Sequence, residues 1–481
     1  MLAFLIGIVG VGRPSFWADE AATISASTRS LPDLARLVTS VDAVHAAYYV
    51  LMHAWFQIVP PTEVWSRVPS CLACGGAAAG VVVLAKMLAD RPTALAAGAF
   101  FAVLPRTTWA AIEARSFALS ALAAVWLTVV LVAAVRRNSA RLWILYALLL
   151  FVSSVLYIFV VFMVLVHAVA VIALRGGRAA QLWFAATSVA AVACLVPFVW
   201  FALNQVTQVG WIAQLGLPTP IALGYQYFDH SWPAAFVAVV LIAAALVVSL
   251  WRSPALPSVT VTIAAAWMLL PTAVLVAYSA LRTPIYLDKY VTFTAPAMAL
   301  LLGVCVRRLA RNLLQGTVIV VVFAAAALPN YIAQRGPYSK LGMDYSEVAN
   351  LVKAHATPGD CLLLDDTVTW QPGPIRAQVE SRPDAFEKLV DVGRGDSGAD
   401  EGTMWSVNLP PDAVLDRLSQ CPAIWTLSQR DSTLPAHEEG IALEPGPRFA
   451  QYPAFFRPAE LGFRLVERWQ FNLSQVTRAV R

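Results

Sequence analysis

Charged side chains are scarce in this sequence, since they make up only 13% of its 481 residues, about half the share that soluble proteins carry. Hydrophobic residues make up 59%, and the mean hydropathy is +0.66. This scarcity excludes a soluble enzyme, a disordered chain and a protein that binds nucleic acid through a basic surface. We therefore expect no nucleic-acid partner.

Acidic residues are rarest in the first part of the chain. Residues 1–340 contain 9 acids and 21 bases, whereas residues 341–481 contain 20 acids and 13 bases. An excess of lysine and arginine suits a helical bundle with cationic cytoplasmic loops. The composition predicts a membrane domain at 1–335, whose first loop is 13–43, and a soluble domain at 336–481.

Cysteine is also infrequent. Four of the six cysteines lie in apolar runs, where cysteine usually acts as a small hydrophobic residue; they are Cys71, Cys74, Cys194 and Cys305. The soluble part contains Cys361 and Cys421. If that part is exported, these two can form a disulfide, because disulfides persist in oxidising compartments.

Long apolar runs are abundant, and they are long enough to cross or nearly cross a bilayer. They lie at 1–12, 44–59, 66–88, 92–109, 116–135, 142–174, 181–202, 233–251, 257–280, 290–306 and 313–330. The 142–174 run is too long for one span, so we expect two short helices that break near Tyr157. The runs predict a polytopic α-helical membrane protein with about 11–13 spans.

Cationic clusters give the orientation of the last spans. Neighbouring clusters are two spans apart, so all of them can face the cytoplasm; they contain Arg136, Arg137 and Arg141, then Arg175 and Arg178, then Arg252, and last Arg307, Arg308 and Arg311. The loops 203–232 and 281–289 and the 336–481 domain then lie outside the cytoplasm. We predict an integral plasma-membrane protein with an extracytoplasmic C-terminal domain.

The C-terminal domain has the pattern of a small α/β fold. The segment Asp344–His355 has helical spacing, and the runs Cys361–Leu364, Pro422–Leu427 and Phe463–Phe471 are typical of strands. Residues 392–403 are rich in Gly, Asp and Ser, which predicts a mobile loop.

The first loop contains two adjacent acids, Asp19 and Glu20, directly after Phe16 and Trp17. That aromatic pair suits a membrane interface. Adjacent carboxylates raise each other's proton affinity, so one can serve as a general base and both can bind a hard cation. The alternative is that both acids begin a helix, where the dipole favours negative charge.

A second polar group, Asp42 and His45, precedes the next apolar run. An aspartate and a histidine three residues apart can share one helix face and hold a cation or a phosphate. The alternative is that Asp42 caps the helix that begins near Val44 and that His45 lies at the interface.

Two further groups border apolar runs. The pair Glu113 and Arg115 can be an interfacial ion pair or part of a site. Arg282, Lys289 and Tyr290 lie just before a span, where they suit a phosphate at the depth of the lipid headgroups. Their alternative is ordinary interfacial anchoring.

These groups form a recognisable series of five motifs. The series consists of Trp17-Ala-Asp19-Glu20-Ala-Ala-Thr23, Asp42-Ala-Val-His45-Ala-Ala-Tyr48-Tyr49, Arg67-Val-Pro69-Ser70, Glu113-Ala-Arg115-Ser-Phe117, and Lys289-Tyr290 ahead of Pro296. It resembles the GT-C glycosyltransferases, membrane enzymes that use polyprenyl-phosphate sugars. In particular it is similar to the bacterial branch related to protein O-mannosyltransferases and lipid A aminoarabinose transferases.

The resemblance implies an inverting glycosyltransferase that moves a sugar from a polyprenyl-phosphate donor to an envelope glycan, glycolipid or protein acceptor on the outer membrane face. Asp19 would be the catalytic base. Glu20 and Asp42, with His45, would orient the base or hold a divalent cation, which is the only cofactor expected. The donor phosphate would be bound by Arg115, Arg282, Lys289 and Tyr290, and an apolar groove between helices would hold the lipid tail. Membrane lipids are expected as further partners.

The resemblance also places loop 13–43 outside, whereas counting back through twelve spans places it inside. A short or half-span is therefore expected within 44–116. The Ala-, Val- and Arg-rich composition favours an actinobacterial source, and hence mannose as the donor sugar with arabinose next. The alternative functions are a flippase or transporter of lipid-linked sugars and an inactive scaffold of envelope assembly.

Overall fold

The computed structural model describes residues 1–215, 220–251, 258–368 and 373–481. The chain divides into two compact units. The first, here called the membrane unit, consists of residues 1–11, 42–48 and 67–334. The second, called the sheet unit, consists of residues 12–41, 49–66 and 335–481, so most of the first loop belongs with the C-terminal region.

Sixteen helices precede residue 335 in the described ranges. The first ten are α1 (Leu2–Ile8), α2 (Ala18–Ser27), α3 (Leu31–Ser40), α4 (Ala46–Phe56), α5 (Glu63–Leu88), α6 (Arg91–Val103), α7 (Pro105–Ala110), α8 (Phe117–Arg137), α9 (Ala140–Leu156) and α10 (Met163–Ala173). The next six are α11 (Arg178–Leu203), α12 (Pro220–Phe228), α13 (Trp232–Trp251), α14 (Ser258–Leu281), α15 (Ala295–Leu309) and α16 (Leu313–Ala333). Short 3₁₀ segments lie at Ala43–His45, Ile158–Phe162, Val206–Leu215 and Asp288–Thr294.

Seven helical segments in the described ranges are long and apolar enough to cross a membrane, which confirms the prediction of a polytopic helical membrane protein. They are Glu63–Leu88, Phe117–Arg137, Arg178–Leu203, Trp232–Leu250, Val259–Leu281, Asp288–Leu309 and Leu313–Ala333. Two shorter apolar helices, Ala140–Leu156 and Ile158–Ala173, lie on either side of Tyr157. The predicted break there is confirmed, because Tyr157 has an extended backbone with φ −151° and ψ 102°.

The apolar run 44–59 forms only an 11-residue helix, α4. At 1.5 Å per residue such a helix is about 16 Å long, roughly half the thickness of the hydrocarbon core. Helix α4 and the 13-residue helix α6 are both short segments of the kind expected within 44–116, and which of them does not span stays open. The predicted cationic residue Arg252 lies outside the described residues.

Small residues allow two helices of the membrane unit to approach closely. A Cβ atom at Gly303 of α15 would lie 2.8 Å from the Cβ of Ala97 in α6 and 2.9 Å from the carbonyl oxygen of Thr93. Glycine and alanine at such crossings are typical of membrane helices, where van der Waals packing replaces the hydrophobic effect. Larger side chains, such as Trp143 and Trp267, are fully buried elsewhere in the same core.

In residues 335–368 and 373–481 the C-terminal region has six helices and six strands. The helices are α17 (Tyr345–His355), α18 (Arg376–Ser381), α19 (Pro383–Phe386), α20 (Gly398–Glu401), α21 (Leu415–Leu418) and α22 (Pro453–Glu460), and a 3₁₀ segment lies at Pro411–Val414. The strands are β1 (Cys361–Leu364), β2 (Val390–Asp391), β3 (Ala423–Gln429), β4 (His437–Leu443), β5 (Arg464–Gln470) and β6 (Ser474–Val480). The predicted helix and the three predicted strands are confirmed within one or two residues.

The six strands form one mixed sheet in the order β2-β1-β3-β6-β5-β4. Strand β1 is parallel to β2 and β3, with Cys361 opposite Ile424, and the remaining pairs are antiparallel. Side chains alternate between the two faces of β1. Leu362 and Leu364 join one buried cluster, while Cys361 and Leu363 join another.

The loop predicted at 392–403 is partly ordered into secondary structure, so that prediction is wrong in part. It contains the helical turn α20, and Arg394 forms an antiparallel bridge with Asn408. Ser397 caps α20 by accepting a hydrogen bond from the backbone N–H of Ala399. Composition alone does not reveal such long-range pairing, because Gly, Asp and Ser are also frequent at helix caps.

Candidate active site

The predicted catalytic base, Asp19, and its neighbour Glu20 lie in the first turn of α2, in the sheet unit. The Asp19 side chain is partly exposed, whereas Glu20 is 0% exposed. The Thr23 hydroxyl donates a hydrogen bond of 3.2 Å to the Asp19 carbonyl oxygen. Position at a helix N-terminus stabilises both carboxylates, and only Asp19 presents its side chain to an approaching molecule.

Long-range contacts hold the start of α2 in place. The N–H of Phe16 donates to the Ser346 hydroxyl at 3.0 Å, and the N–H of Ser346 donates to the Ser15 hydroxyl at 2.9 Å. Gly373 has φ +99°, and a Cβ there would lie 2.8 Å from the Cβ of Ala18. Ala18, the residue before Asp19, is thus packed directly against the backbone of Gly373.

Phe16 and Trp17 are 0% and 4% exposed and belong to the same buried cluster as Tyr345 and Val348. Their predicted place at a membrane interface is therefore wrong. They form part of the core of the sheet unit, because large aromatic side chains gain most free energy when they are fully buried.

The end of α2 is fixed by Arg29. Its guanidinium donates to the carbonyl oxygens of Gly398 at 3.1 Å, Thr403 at 2.8 Å and Met404 at 2.9 Å. The Ser25 hydroxyl also donates to the Met404 carbonyl, at 2.9 Å. Because α2 is held at both ends, the Asp19 backbone is pre-positioned, as catalysis requires.

A second group of acids lies close to the start of α2. Glu63 accepts from the Ser346 hydroxyl at 2.6 Å and pairs with Arg382 at 2.8 Å, so it has a structural partner. Burial raises the pKa of the Glu347 carboxyl, and the negative charge of Glu63 adds to that rise. This electrostatic environment favours the neutral form of Glu347 and argues against Glu347 as an ionised base.

Asp42 and His45 lie in the membrane unit, at the 3₁₀ segment Ala43–His45. Asp42 has a left-handed backbone with φ 57°, and its N–H donates to Gln208 while that of Ala43 donates to Gln205, at 3.0 and 2.9 Å. The carboxylate makes no side-chain cap hydrogen bond. Asp42 thus lies at the N-cap position of the 3₁₀ segment, where the alternative role places it, but without a side-chain cap hydrogen bond. Two glutamine side chains hold the unusual backbone around it.

Two of the predicted phosphate-binding residues share an aromatic setting in the membrane unit. The Lys289 ammonium lies 5.9 Å from the ring centre of Phe117 and 6.0 Å from that of Tyr290, and these rings stack at 6.4 Å. The Tyr157 hydroxyl donates to the Tyr290 carbonyl oxygen at 2.8 Å. Aromatic faces attract a cation and hold it in place.

Arg115, two residues before Phe117, is 6% exposed, and its positive charge acts on the Tyr157 side chain. The structure thus brings Arg115, Lys289 and Tyr290 to one aromatic cluster. Arg282 is exposed at the end of α14, and the described part of the chain gives its guanidinium no hydrogen bond or ion pair. Its predicted role stays a prediction.

Another motif residue has a structural contact. The Ser70 hydroxyl donates to the Glu113 carbonyl oxygen at 2.6 Å, and Arg67, which is 0% exposed, donates to the Val11 carbonyl at 2.8 Å. These contacts link α5 to the segments on either side of it in sequence. We interpret the motif around Arg67 as residues that pack the first turns of α5 against neighbouring segments.

The sequence analysis missed Arg106, which is 1% exposed. Its guanidinium donates to the carbonyl oxygens of Tyr225 at 2.8 Å and Gln226 at 3.0 Å, and it forms a hydrogen-bonded ion pair with Asp288. Asp229 lies 3.6 Å away on the same guanidinium. The sequence did contain a signal for this ion pair. An arginine inside the apolar run 92–109 costs free energy unless an acid pairs with it.

Potential metal ligands meet in one place among the described residues, at the exposed group His437, Glu439 and Glu467 on β4 and β5. Exposed groups of this kind are common without an ion. In the membrane unit, Asp42 and His45 offer one carboxylate and one imidazole, fewer ligands than a resident metal takes. The predicted role of Glu20, Asp42 and His45 toward a divalent cation therefore stays a prediction, and we derive no step through a metal ion.

Cys361 and Cys421 form a disulfide with a Cα–Cα distance of 5.8 Å. It joins β1 to the turn before β3. The other four cysteines are free thiols, and Cys194 is the exposed one among them.

No family model matches this sequence, and no curated protein matches it by sequence. Solved structures do match. The apo structure of ArnT from Cupriavidus metallidurans has 13% identity and a TM-score of 0.59, and the match covers 99% of this chain and 96% of that one. ArnT from the same organism bound to undecaprenyl phosphate has 12% identity and a TM-score of 0.57 over the same shares.

A cryo-EM structure of the arabinofuranosyltransferase AftD from Mycobacteria also matches, with 16% identity and a TM-score of 0.45 over 92% of this chain and 39% of that one. The ArnT matches extend over both units. The membrane helices together with the C-terminal sheet region therefore share the fold of ArnT.

Proposed function

We propose that this protein is an inverting glycosyltransferase that uses a polyprenyl-phosphate sugar and acts on the outer face of the membrane. The single observation that carries the proposal is the GT-C fold over 99% of the chain, combined with a partly exposed Asp19 on a helix that is fixed at both ends. An ArnT structure of this fold is bound to undecaprenyl phosphate, which supports a lipid-linked donor.

In the proposed reaction, Asp19 accepts the proton of the acceptor hydroxyl. The hydroxyl oxygen forms a bond to C1 of the sugar from the face opposite the phosphate, so the configuration inverts. The C1–O bond to the phosphate breaks, and its electron pair leaves with the polyprenyl phosphate. A base held within hydrogen-bond reach contributes typically 10²–10⁴-fold to the rate.

The leaving phosphate gains negative charge as that bond breaks. Lys289 and Arg115 are the cations we assign to it, with Tyr290 as a hydroxyl donor. Pre-organised cations stabilise developing charge best in a site from which water is excluded. The aromatic rings of Phe117 and Tyr290 beside Lys289 supply such surroundings.

Mannose is the donor sugar that we favour, with arabinose next, and the acceptor is an envelope glycan, glycolipid or protein. Glu20, Asp42 and His45 stay proposed as residues that orient the base or its surroundings. Their role as ligands of a divalent cation is proposed only for a form of the site that brings more ligands together.

The outer-face location is supported by charge. The clusters at Arg136–Arg141, 175–178 and 307–311 favour the cytoplasm. The last of these clusters directly precedes the apolar helix Leu313–Ala333, so we propose that the region after this helix lies outside.

The test uses the full chain purified into lipid nanodiscs, with radiolabelled decaprenyl-phosphate mannose or decaprenyl-phosphate arabinose as donor and membrane lipid extract as acceptor. We expect Asp19→Asn to lower the transfer rate at least 100-fold. The matched control is Asp33→Asn, because Asp33 is also an acid of the first helical turn in the same loop but pairs with Arg36. This control should keep full activity.

Equal transfer by Asp19→Asn and the unsubstituted protein would reject Asp19 as the base. No transfer from either donor, together with donor movement across the bilayer, would instead favour the flippase alternative. An absence of both activities would leave the scaffold alternative.

A further inference from the structure

The edge strand β4 and its neighbour β5 carry three potential metal ligands on one face of the sheet. Strand β4 is the last in the sheet order, and the ladder places His437 opposite Trp469 and Glu439 opposite Glu467. Residues two apart on a strand point to the same face, and so do directly opposed residues of neighbouring strands. His437, Glu439 and Glu467 therefore share one face with Trp469.

The ligand atoms of these three side chains are about as close together as a metal ion requires. Nε2 of His437 lies 3.3 Å from a carboxylate oxygen of Glu467 and 3.6 Å from one of Glu439. All three ligand atoms lie within 4.8 Å of one another. Tetrahedral ligands of Zn²⁺, bonded at about 2.0–2.2 Å, are roughly 3.4 Å apart. Small rotations of the glutamate side chains therefore bring all three to one ion.

Solvent reaches these side chains. The exposed fraction is 48% for His437, 68% for Glu439 and 18% for Glu467. Over the described ranges, the ion pairs of both carboxylates are with His437 alone. An ion that arrives from solvent thus meets three ligand atoms whose ion pairs lie within the group itself.

Glu439 and Glu467 face each other across the two strands, and directly opposed like charges destabilise a sheet. On the other face of the same strands, Glu438 is opposite Arg468 and forms an ion pair with it. Arg478 of β6 is opposite Glu467, but the two make no ion pair in the structure as described. A bound divalent cation would replace the repulsion between the two glutamates by attraction of both to the ion.

The imidazole of His437 is held in one orientation by stacking. Its ring centre lies 5.6 Å from that of Trp469, with the ring planes 19° apart. Trp469 in turn stacks on the buried Trp425 at 5.5 Å and 6°. A ligand whose rotamer is already fixed by packing loses little conformational entropy when it binds. The stack therefore prepares Nε2 of His437 for a metal ion.

We propose that His437, Glu439 and Glu467 bind a divalent transition-metal ion of the Zn²⁺ type, with water as the fourth ligand. An imidazole together with carboxylates suits zinc, whereas Ca²⁺ and Mg²⁺ take oxygen ligands. The ion joins β4, whose pairing is irregular between Glu439 and Leu443, to β5. This inference stands without the proposed transferase function, because none of the three ligands takes part in that reaction.

Binding is tested on the full chain in nanodiscs by equilibrium dialysis against buffered Zn²⁺, with Ca²⁺ and Mg²⁺ as competing probes. We expect one Zn²⁺ per chain above the amount that His437→Ala retains, and no displacement by Ca²⁺ or Mg²⁺. Loss of an outer hydrogen-bond partner of a metal ligand costs roughly 10–100-fold in affinity. Loss of a ligand itself, in His437→Ala or Glu467→Gln, should therefore cost more than about 100-fold.

The matched control is His355→Ala. His355 is exposed, and its ring centre lies 5.7 Å from that of Trp469, so this variant also removes an aromatic contact with Trp469 but no ligand. It should bind Zn²⁺ as the unsubstituted chain does. The proposal is overturned if His355→Ala loses as much binding as His437→Ala, if both ligand variants bind as tightly as this control, or if Ca²⁺ or Mg²⁺ displaces the zinc.

Protection of the edge strand is a second measurement. An ion that binds only the folded form lowers the open fraction by the factor 1 + [Zn²⁺]/Kd, which is about tenfold at a concentration ten times the Kd. Proteolytic cleavage within 430–445 should slow by about that factor when it requires β4 to open. Glu467→Gln should abolish this protection, and His355→Ala should keep it. Equal protection in Glu467→Gln would reject an ion that joins β4 to β5.

Discussion

At the scale of single residues, Arg106 shows how a charge can be stable inside an apolar unit. Two carboxylates and two backbone carbonyls surround its guanidinium. Removing one partner of a buried ion pair leaves the other charge uncompensated, which costs more than the pair itself contributes. The planar guanidinium reaches four acceptors at once, which a lysine ammonium does not.

We predict that Arg106→Met lowers the free energy of unfolding by about 3–5 kcal/mol. Denaturant titration of the protein in mixed micelles measures this loss. The matched control is Arg36→Met, which breaks an exposed pair with Asp33 and should cost less than about 1 kcal/mol.

Adding Asp229→Asn and Asp288→Asn to Arg106→Met should restore much of the stability, because the two carboxylates are then no longer buried without a cation. If Arg106→Met is as stable as Arg36→Met, the contacts of the Arg106 guanidinium do not stabilise the fold, and the prediction is wrong.

The candidate site residues stay predictions, whereas the structure corrects part of their surroundings. Asp19, Lys289 and Tyr290 stand out because charged and polar groups are rare in an apolar chain. Asp19 is separated from Glu20 in the sequence only by the family resemblance, since the different exposure of the two depends on packing across more than 300 residues. For the same reason the sequence misplaced Phe16 and Trp17, whose aromatic character suits a core and an interface equally well.

At the scale of elements, the disulfide ties the first strand of the sheet to the chain before its third strand. Cys361 begins β1, and Cys421 lies two residues before β3, with a sequence separation of 60. A cross-link over a loop of this length lowers the entropy of the unfolded chain, which corresponds to about 4 kcal/mol in the chain-entropy description. The neighbouring strands are parallel, so no short turn holds them together.

We predict that the double variant Cys361→Ser, Cys421→Ser destabilises the sheet unit by up to about 4 kcal/mol. Limited proteolysis along a denaturant series, scored for cleavage within 335–481, measures the change. The control Cys194→Ser removes an exposed free thiol and should leave the cleavage midpoint unchanged. A double variant with the midpoint of the unsubstituted protein would contradict a stabilising disulfide.

The elements of the sheet unit were predicted where local pattern suffices. The helix at Tyr345–His355 and three strands follow from periodicity. Strand β2 has two residues and β4 is mostly exposed, so neither has an apolar run to reveal it. The joining of 12–41 and 49–66 to the C-terminal region could not be predicted, because it depends on contacts between distant segments.

At the scale of the whole molecule, the side of the membrane on which the sheet unit lies decides which substrates can reach Asp19. Asp19 and the C-terminal region belong to the same unit, so a reporter anywhere on that unit also reports on the proposed catalytic base. The cationic loops are expected in the cytoplasm, so a reporter in one of them should face the other side of the membrane. The proposed acceptors are envelope molecules, and they require the sheet unit outside.

We predict that a cysteine at Gln451, exposed in the sheet unit, is labelled by a membrane-impermeant maleimide in intact spheroplasts, whereas one at Ala140 is labelled only after lysis. Ala140 follows the cationic pair Arg136 and Arg137, which favours the cytoplasm. The unsubstituted chain, whose free cysteines are Cys71, Cys74, Cys194 and Cys305, measures the background labelling. The reverse labelling pattern would place Asp19 on the cytoplasmic side with the sheet unit, and transfer to an outer-face acceptor would then be excluded whatever the activity of the purified protein.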